Sequence, residues 1–131
     1  MDLLDRYIKE IEADLVLDEM NLRDVQLRLP SKKHFWVARL IKHKIEINNY
    51  KKQKEELKRV LVEKVVVDSP VVVSKALAER KVDDLAEMNT LNNKIKELEY
   101  VIELLEKVEK NFNSMTYDIK NIVEILKLEQ Q

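Results

Sequence analysis

Residues 85–126 read LAEMNTLNNKIKELEYVIELLEKVEKNFNSMTYDIKNIVEIL, and the spacing of their apolar side chains decides the fold. Leu85, Met88, Leu91, Ile95, Leu98, Ile102, Leu105, Val108, Phe112, Met115, Ile119, Ile122 and Leu126 advance 41 residues in 12 steps, a mean near 3.4. That is close to the 3.5-residue repeat of a coiled-coil seam and far from the two-residue period of a strand. Asn111, Asn113 and Ser114 interrupt the helix-favouring composition, so the stretch reads as one helix or as two joined near residue 113. A seam this long on 131 residues has little of its own chain to cover it, which predicts self-association. The expected oligomerisation seam runs through Leu91, Ile95, Leu98, Ile102, Leu105, Val108, Phe112, Ile119 and Ile122.

Upstream, the period changes. VVVDSPVVV, residues 65–73, sets two valine triplets around Asp68-Ser69-Pro70 and reads either as a small β-hairpin or as extended arms of an irregular connector. The second reading exists because Pro70 has no N–H to give to a ladder. After it, Ser74 is placed to cap a short helix, KALAERK, and Asp83 or Asp84 to open the long seam.

Before it, Trp36, Leu40, His43, Ile47, Tyr50, Lys54, Leu57 and Leu61 alternate steps of four and three, one long helix with two polar seam positions. It is expected to begin after Pro30, with Ser31 as N-cap, and to end near residue 63. At the N-terminus, Leu4, Ile8, Ile11 and Leu15 mark a short amphipathic helix. The expected fold is therefore all-α, of long amphipathic, coiled-coil-like helices in a single domain, 1–131. Its segments are an acidic stretch (1–31), a basic helix (32–64), a hairpin or connector (65–73) and a helical oligomerisation region (74–131).

Composition bounds the function. The chain has 37% charged and 5% aromatic residues, no Gly, no Cys and two Pro, which suits long helices better than a loop-rich enzyme. Without Gly there is no phosphate-cradling loop or dinucleotide fingerprint, and without Cys no disulfide or thiolate metal site. His34 and His43 lie nine apart and not at the i, i+4 spacing of a helical zinc pair. Carboxylates such as Glu103 and Glu106 fall four residues before Lys107 and Lys110, the pattern of solvated ion pairs. No catalytic residue, metal or cofactor is expected, and the protein is not read as an enzyme. No signal-peptide core or membrane-length apolar run is visible, so a soluble cytoplasmic protein is expected, in the host cytoplasm if the chain is viral.

The net charge of -1 hides an uneven distribution. Residues 1–31 carry 4 basic and 8 acidic groups (-4), residues 32–64 carry 11 and 4 (+7), and residues 65–131 carry 9 and 13 (-4). Lys44, Lys51 and Lys58 form one column on the helix and Lys52 and Arg59 a second, spanning about 22 Å at 1.5 Å per residue. Such a stripe fits a phosphate backbone, which asks for positive charge and no base-reading geometry. A solvated helix face is the competing explanation, since Glu55 sits inside the stripe. Lys42, Lys44, Lys51, Lys52, Lys58, Arg59 and Lys64 are the candidate DNA contacts. Trp36 and Tyr50 fall on the seam and are assigned to packing, which leaves Phe35 as the ring open to base stacking.

Three stretches carry a family resemblance. They are NLRDVQLRLP (21–30), LIKHKIE (40–46) leading to LKRVL (57–61), and NSMTYDIKNIVEILKLEQQ (113–131). Over nearly its full length the chain resembles the UvsY-type recombination mediators of T-even and related phages. The resemblance implies a mostly helical, ring-like homo-oligomer of about six or seven subunits. It also implies binding to single-stranded DNA, to a RecA-like recombinase and to the single-strand-binding protein, in recombination and repair. The family sets its DNA-contacting Lys and Arg in a Leu-Lys-x-Arg-Leu context; here Lys58 and Arg59 are adjacent, with Val60 where that Arg falls. VVVDSPVVV also replaces a Gly- and Tyr-containing turn. Two other readings of the helices stand beside it: a prefoldin-type chaperone, holding clients on apolar surface, and a coiled-coil scaffold.

Overall fold

The structure, a computed structural model, describes residues 2–130. Among these it contains four α-helices and no strand: α1 (Asp2–Asp14), α2 (Leu22–Asp68), α3 (Lys75–Asp83) and α4 (Ala86–Glu129). No helix is long and apolar enough to cross a membrane among the described residues.

α1 is favoured by Asp2 and Asp5 in its first turn, where carboxylates oppose the positive end of the helix dipole. It buries Tyr7 and Ile11 and leaves Ile8 on its exposed edge. Asp18 and Asn21 close the following turn reciprocally. The Asp18 N–H donates to Asn21 Oδ1 at 2.8 Å, and the Asn21 N–H donates to Asp18 Oδ1 at 3.0 Å. Asn21 is thereby fixed where its carbonyl accepts the Val25 N–H, the first bond of α2.

Three expectations about boundaries are corrected. α2 does not start at Ser31; it runs through Pro30. Pro30 removes the N–H that would bond the Gln26 carbonyl, a defect worth about 3 kcal/mol in an isolated helix. Buried Leu29 and Trp36 on either side hold the helix to its core despite that loss. The hairpin at 65–73 does not form: Val65–Asp68 are the last turn of α2, and only 69–74 lie outside helix. Extending a running helix across valines costs a few tenths of a kcal/mol per residue, whereas an uncovered two-stranded hairpin is marginal in water. Finally, neither Asp83 nor Asp84 opens α4: Asp83 ends α3, Asp84 is its C-cap, and α4 begins at Ala86. Ser74 does cap α3, its Oγ accepting the Leu77 N–H at 3.2 Å. α4 continues unbroken past Asn113, with Ser114 Oγ bonded to the Asn111 carbonyl inside the helix.

The chain packs as two compact units, one from residues 1–42 and 100–131, the other from 43–99. In the first, Tyr7, Ile11, Leu29, Trp36 and Leu40 pack with Val101, Leu105, Val108, Phe112, Met115 and Ile119. In the second, Ile47, Ala78, Val82, Met88, Ile95 and Leu98 are buried together with His43.

The seam of α4 is therefore largely covered by its own chain. Ile95, Leu98, Leu105, Val108, Phe112 and Ile119 are buried, while Leu91, Ile102 and Ile122 are half-buried. The premise that this seam lacks intramolecular cover is corrected, because α2 supplies a matching seam from Leu29 to Leu40. One register detail also changes. Val101, and not Ile102, is the fully buried residue, so the stripe 98, 101, 105, 108, 112, 115, 119 alternates steps of three and four without a break.

Candidate nucleic-acid interface

Residues 43–68 of α2 are rich in Lys and Glu, which lose little rotamer freedom in a helix. Its inward positions are taken by buried His43 and Ile47 and half-buried Tyr50, Lys54, Leu57 and Leu61. His43 Nδ1 lies 3.2 Å from Glu46 Oε2. The Lys94 ammonium sits over the Tyr50 ring at 5.5 Å, so Tyr50 is engaged as the seam predicted. With one face so occupied, the lysines between these positions turn outward. Lys44, Lys51, Lys52, Arg59 and Lys64 are exposed and Lys58 half-buried. Lys42, also exposed, is the last residue that α2 gives to the other unit.

Charge pairing divides these candidates. Arg59 is held by two carboxylates of its own helix: Nη2 lies 2.6 Å from Glu56 Oε1 and Nη1 3.2 Å from Glu63 Oε1. The hydrogen bond from Arg59, and then its charge, hold the Glu56 carboxyl below its ordinary value. The same hydrogen bond and the charges of Glu56 and Glu63 raise the Arg59 guanidinium above its own. Lys58 Nζ reaches across to Asp83 of α3 at 3.1 Å. Beside this pair, a crevice between α2 and α3 is lined by Glu55, Lys58, Arg59, Glu63, Lys75 and Glu79. Three cations and three carboxylates there leave little net attraction for a phosphate.

Lys51, Lys52 and Lys64 differ, having no ion-pair partner among the described residues. Among the candidate DNA contacts of this unit, these three carry charge that no carboxylate neutralises.

Phe35 lies in the other unit and is 44% exposed, but one of its faces is taken. The Arg39 guanidinium stands 4.0 Å from its centroid, and its edge meets Trp36 at 5.3 Å. Stacking a base on that face requires Arg39 to leave. Arg39 also donates to Glu10 Oε2 at 2.7 Å and lies 4.9 Å from the ring centres of Tyr7 and Trp36. No local spacing signals this cluster, whose carboxylate and cation are 29 residues apart. No group of three or more His, Cys, Asp or Glu side chains able to hold a metal ion occurs among the described residues. No family model, curated protein or solved structure matches the chain.

Proposed function

We propose that the protein binds single-stranded DNA along the lysine face of α2 and acts as a recombination mediator of the UvsY type. It would help to load a RecA-like recombinase onto single-stranded DNA covered by single-strand-binding protein, in the cytoplasm, where phage recombination and repair take place. One observation carries this reading: Lys51, Lys52 and Lys64 are exposed on one helix without ion-pair partners among the described residues. Lys51 and Lys52 are neighbours, while Lys64, twelve residues on, projects from a different side of the helix. A polyanion is the ligand that such unneutralised charge attracts, and a flexible single strand can wind along the helix to reach these cations without a groove to fit.

The resemblance of LIKHKIE, LKRVL and the TYDIKNIVE tail narrows the polyanion to single-stranded DNA and brings the homo-oligomer, recombinase and coating protein as partners. Repetition of the lysine face around an assembly would raise affinity through effective concentration. The mediator itself performs no bond chemistry. Its work is differential binding, favouring a DNA geometry that the recombinase enters as the coating protein leaves.

The test is fluorescence anisotropy of a labelled oligothymidine over a salt series, with duplex of equal length as competitor. Three free lysines predict single-strand-preferring binding with a log–log slope of about -2 per subunit. No binding at low salt overturns the reading.

A chaperone reading has one observation in its favour: Val66, Val67, Val71 and Val72 are exposed around the end of α2. Clients captured through apolar surface, with no DNA binding, would select it.

A further inference from the structure

The unit formed by residues 1–42 and 100–131 contains an open groove of about 550 Å³ between α2 and α4. That size lies within the range of small-molecule sites, about 300–1,000 Å³. Leu29, Pro30 and Phe112 form its apolar floor, and Lys33, Asn113 and Tyr117 stand at its rim.

These rim groups are unused. Tyr117 is 71% exposed and has no hydrogen bond or ring contact among the described residues. Lys33 has no ion pair and the Asn113 amide no hydrogen bond there. No carboxylate lines the groove, in contrast to the crevice beside Lys58. An aromatic face, a single cation, an amide with both donor and acceptor, and an apolar floor together match the parts of a nucleotide: base plane, phosphate and base edge. Pro30 contributes the apolar surface of its exposed ring to the floor.

The geometry points to a base-binding subsite in which an unpaired nucleobase stacks on Tyr117 while its phosphate pairs with Lys33. This deepens, and rests on, the reading that the protein binds single-stranded DNA. Tyr117 takes the stacking role expected of Phe35, whose ring face Arg39 occupies. Binding is non-covalent and tolerant of base identity, since every base offers a π-face.

The experiment compares two labelled strands of equal length, oligothymidine and an abasic oligomer with the same phosphates but no bases. For the full-length protein, Tyr117→Ala lowers oligothymidine affinity about tenfold and leaves the abasic strand unchanged, while Tyr117→Phe restores binding. Lys33→Ala weakens both strands and reduces the salt slope by about 0.7. If wild-type protein binds oligothymidine and Tyr117→Ala binds it equally well, the subsite is overturned and the DNA-binding reading stands. If wild-type protein binds neither strand at low salt, the DNA-binding reading falls and the subsite with it. Far-ultraviolet circular dichroism of each variant separates lost binding from lost fold, and Tyr117→Phe keeps the ring if Tyr117→Ala unfolds.

Discussion

The carboxylate of Asp14 accepts the indole N–H of Trp36 at 2.8 Å, through Oδ2, while its other oxygen receives the Lys32 ammonium at 2.7 Å. Trp36 is almost wholly buried, so Asp14 supplies the partner that its one polar atom needs. Asp14→Ala strands that N–H and is expected to cost about 1–3 kcal/mol. Urea unfolding followed by the fluorescence of the single Trp reads this as a lower midpoint at unchanged slope.

Arg39 joins α1 to α2 by shape as well as by charge. Its flat guanidinium lies over Phe35 while pairing with Glu10, and a lysine ammonium has no plane to stack. Arg39→Lys is therefore expected to destabilise by about 0.5–1 kcal/mol despite keeping the charge. A midpoint equal to wild type in the same urea experiment contradicts the stacking contribution.

Pro30→Ala returns a donor to the Gln26 carbonyl inside an established helix. Because Pro30 is exposed, the change empties no core, and a gain of about 1–3 kcal/mol is expected. Differential scanning calorimetry reads the gain as a raised Tm. A lowered Tm would mean that the proline ring holds the surrounding packing.

Glu56 titrates below the ordinary carboxylate range because Arg59 bonds and faces it. In Arg59→Ala its midpoint should rise towards the ordinary range of a glutamate carboxyl. Carbon-detected NMR of the Glu56 carboxyl follows the change. A folded-state pKa that is depressed contributes stability above the ordinary range, and that stability is lost as pH falls through the depressed value. Both partners are exposed at the surface, so the shift should appear in the site titration far more clearly than in the unfolding midpoint.

The same pairing makes a prediction about DNA. Glu56→Gln with Glu63→Gln releases Arg59 to the solvent and adds one phosphate contact. Oligothymidine affinity should rise, and the salt slope should steepen by about 0.7. Unchanged affinity would remove Arg59 from the DNA-contacting face.

Much of this architecture is legible in the residues themselves. The apolar steps of three and four along α4, the Ser74 cap and the outward lysines are local or periodic signals, and local periodicity is what a sequence displays. Pro30 and Val65–Val67 mislead because their local preferences are outweighed by buried neighbours and by an already running helix. Ile102 and Val101 are both apolar and adjacent, so spacing alone does not choose between them. At the candidate interface, the Arg59 clamp is readable as i-3 and i+4 carboxylates. The Lys58–Asp83 pair, with partners 25 residues apart, and the groove at Lys33 and Tyr117 depend on tertiary packing.

One unit is contiguous, residues 43–99, and the other is assembled from both ends of the chain. During synthesis Tyr7, Ile11, Trp36 and Leu40 are made first, yet Leu105, Val108 and Phe112, which bury them, are made more than 60 residues later. At typical elongation rates of about 5–20 residues per second, that leaves the early half of the core without its partners for several seconds. The contiguous unit meets no such delay, since its helices follow one another directly. The birth order of the chain thus makes the N-terminal segment, with the only Trp, the last part to reach its final environment, and a sticky nascent surface until then.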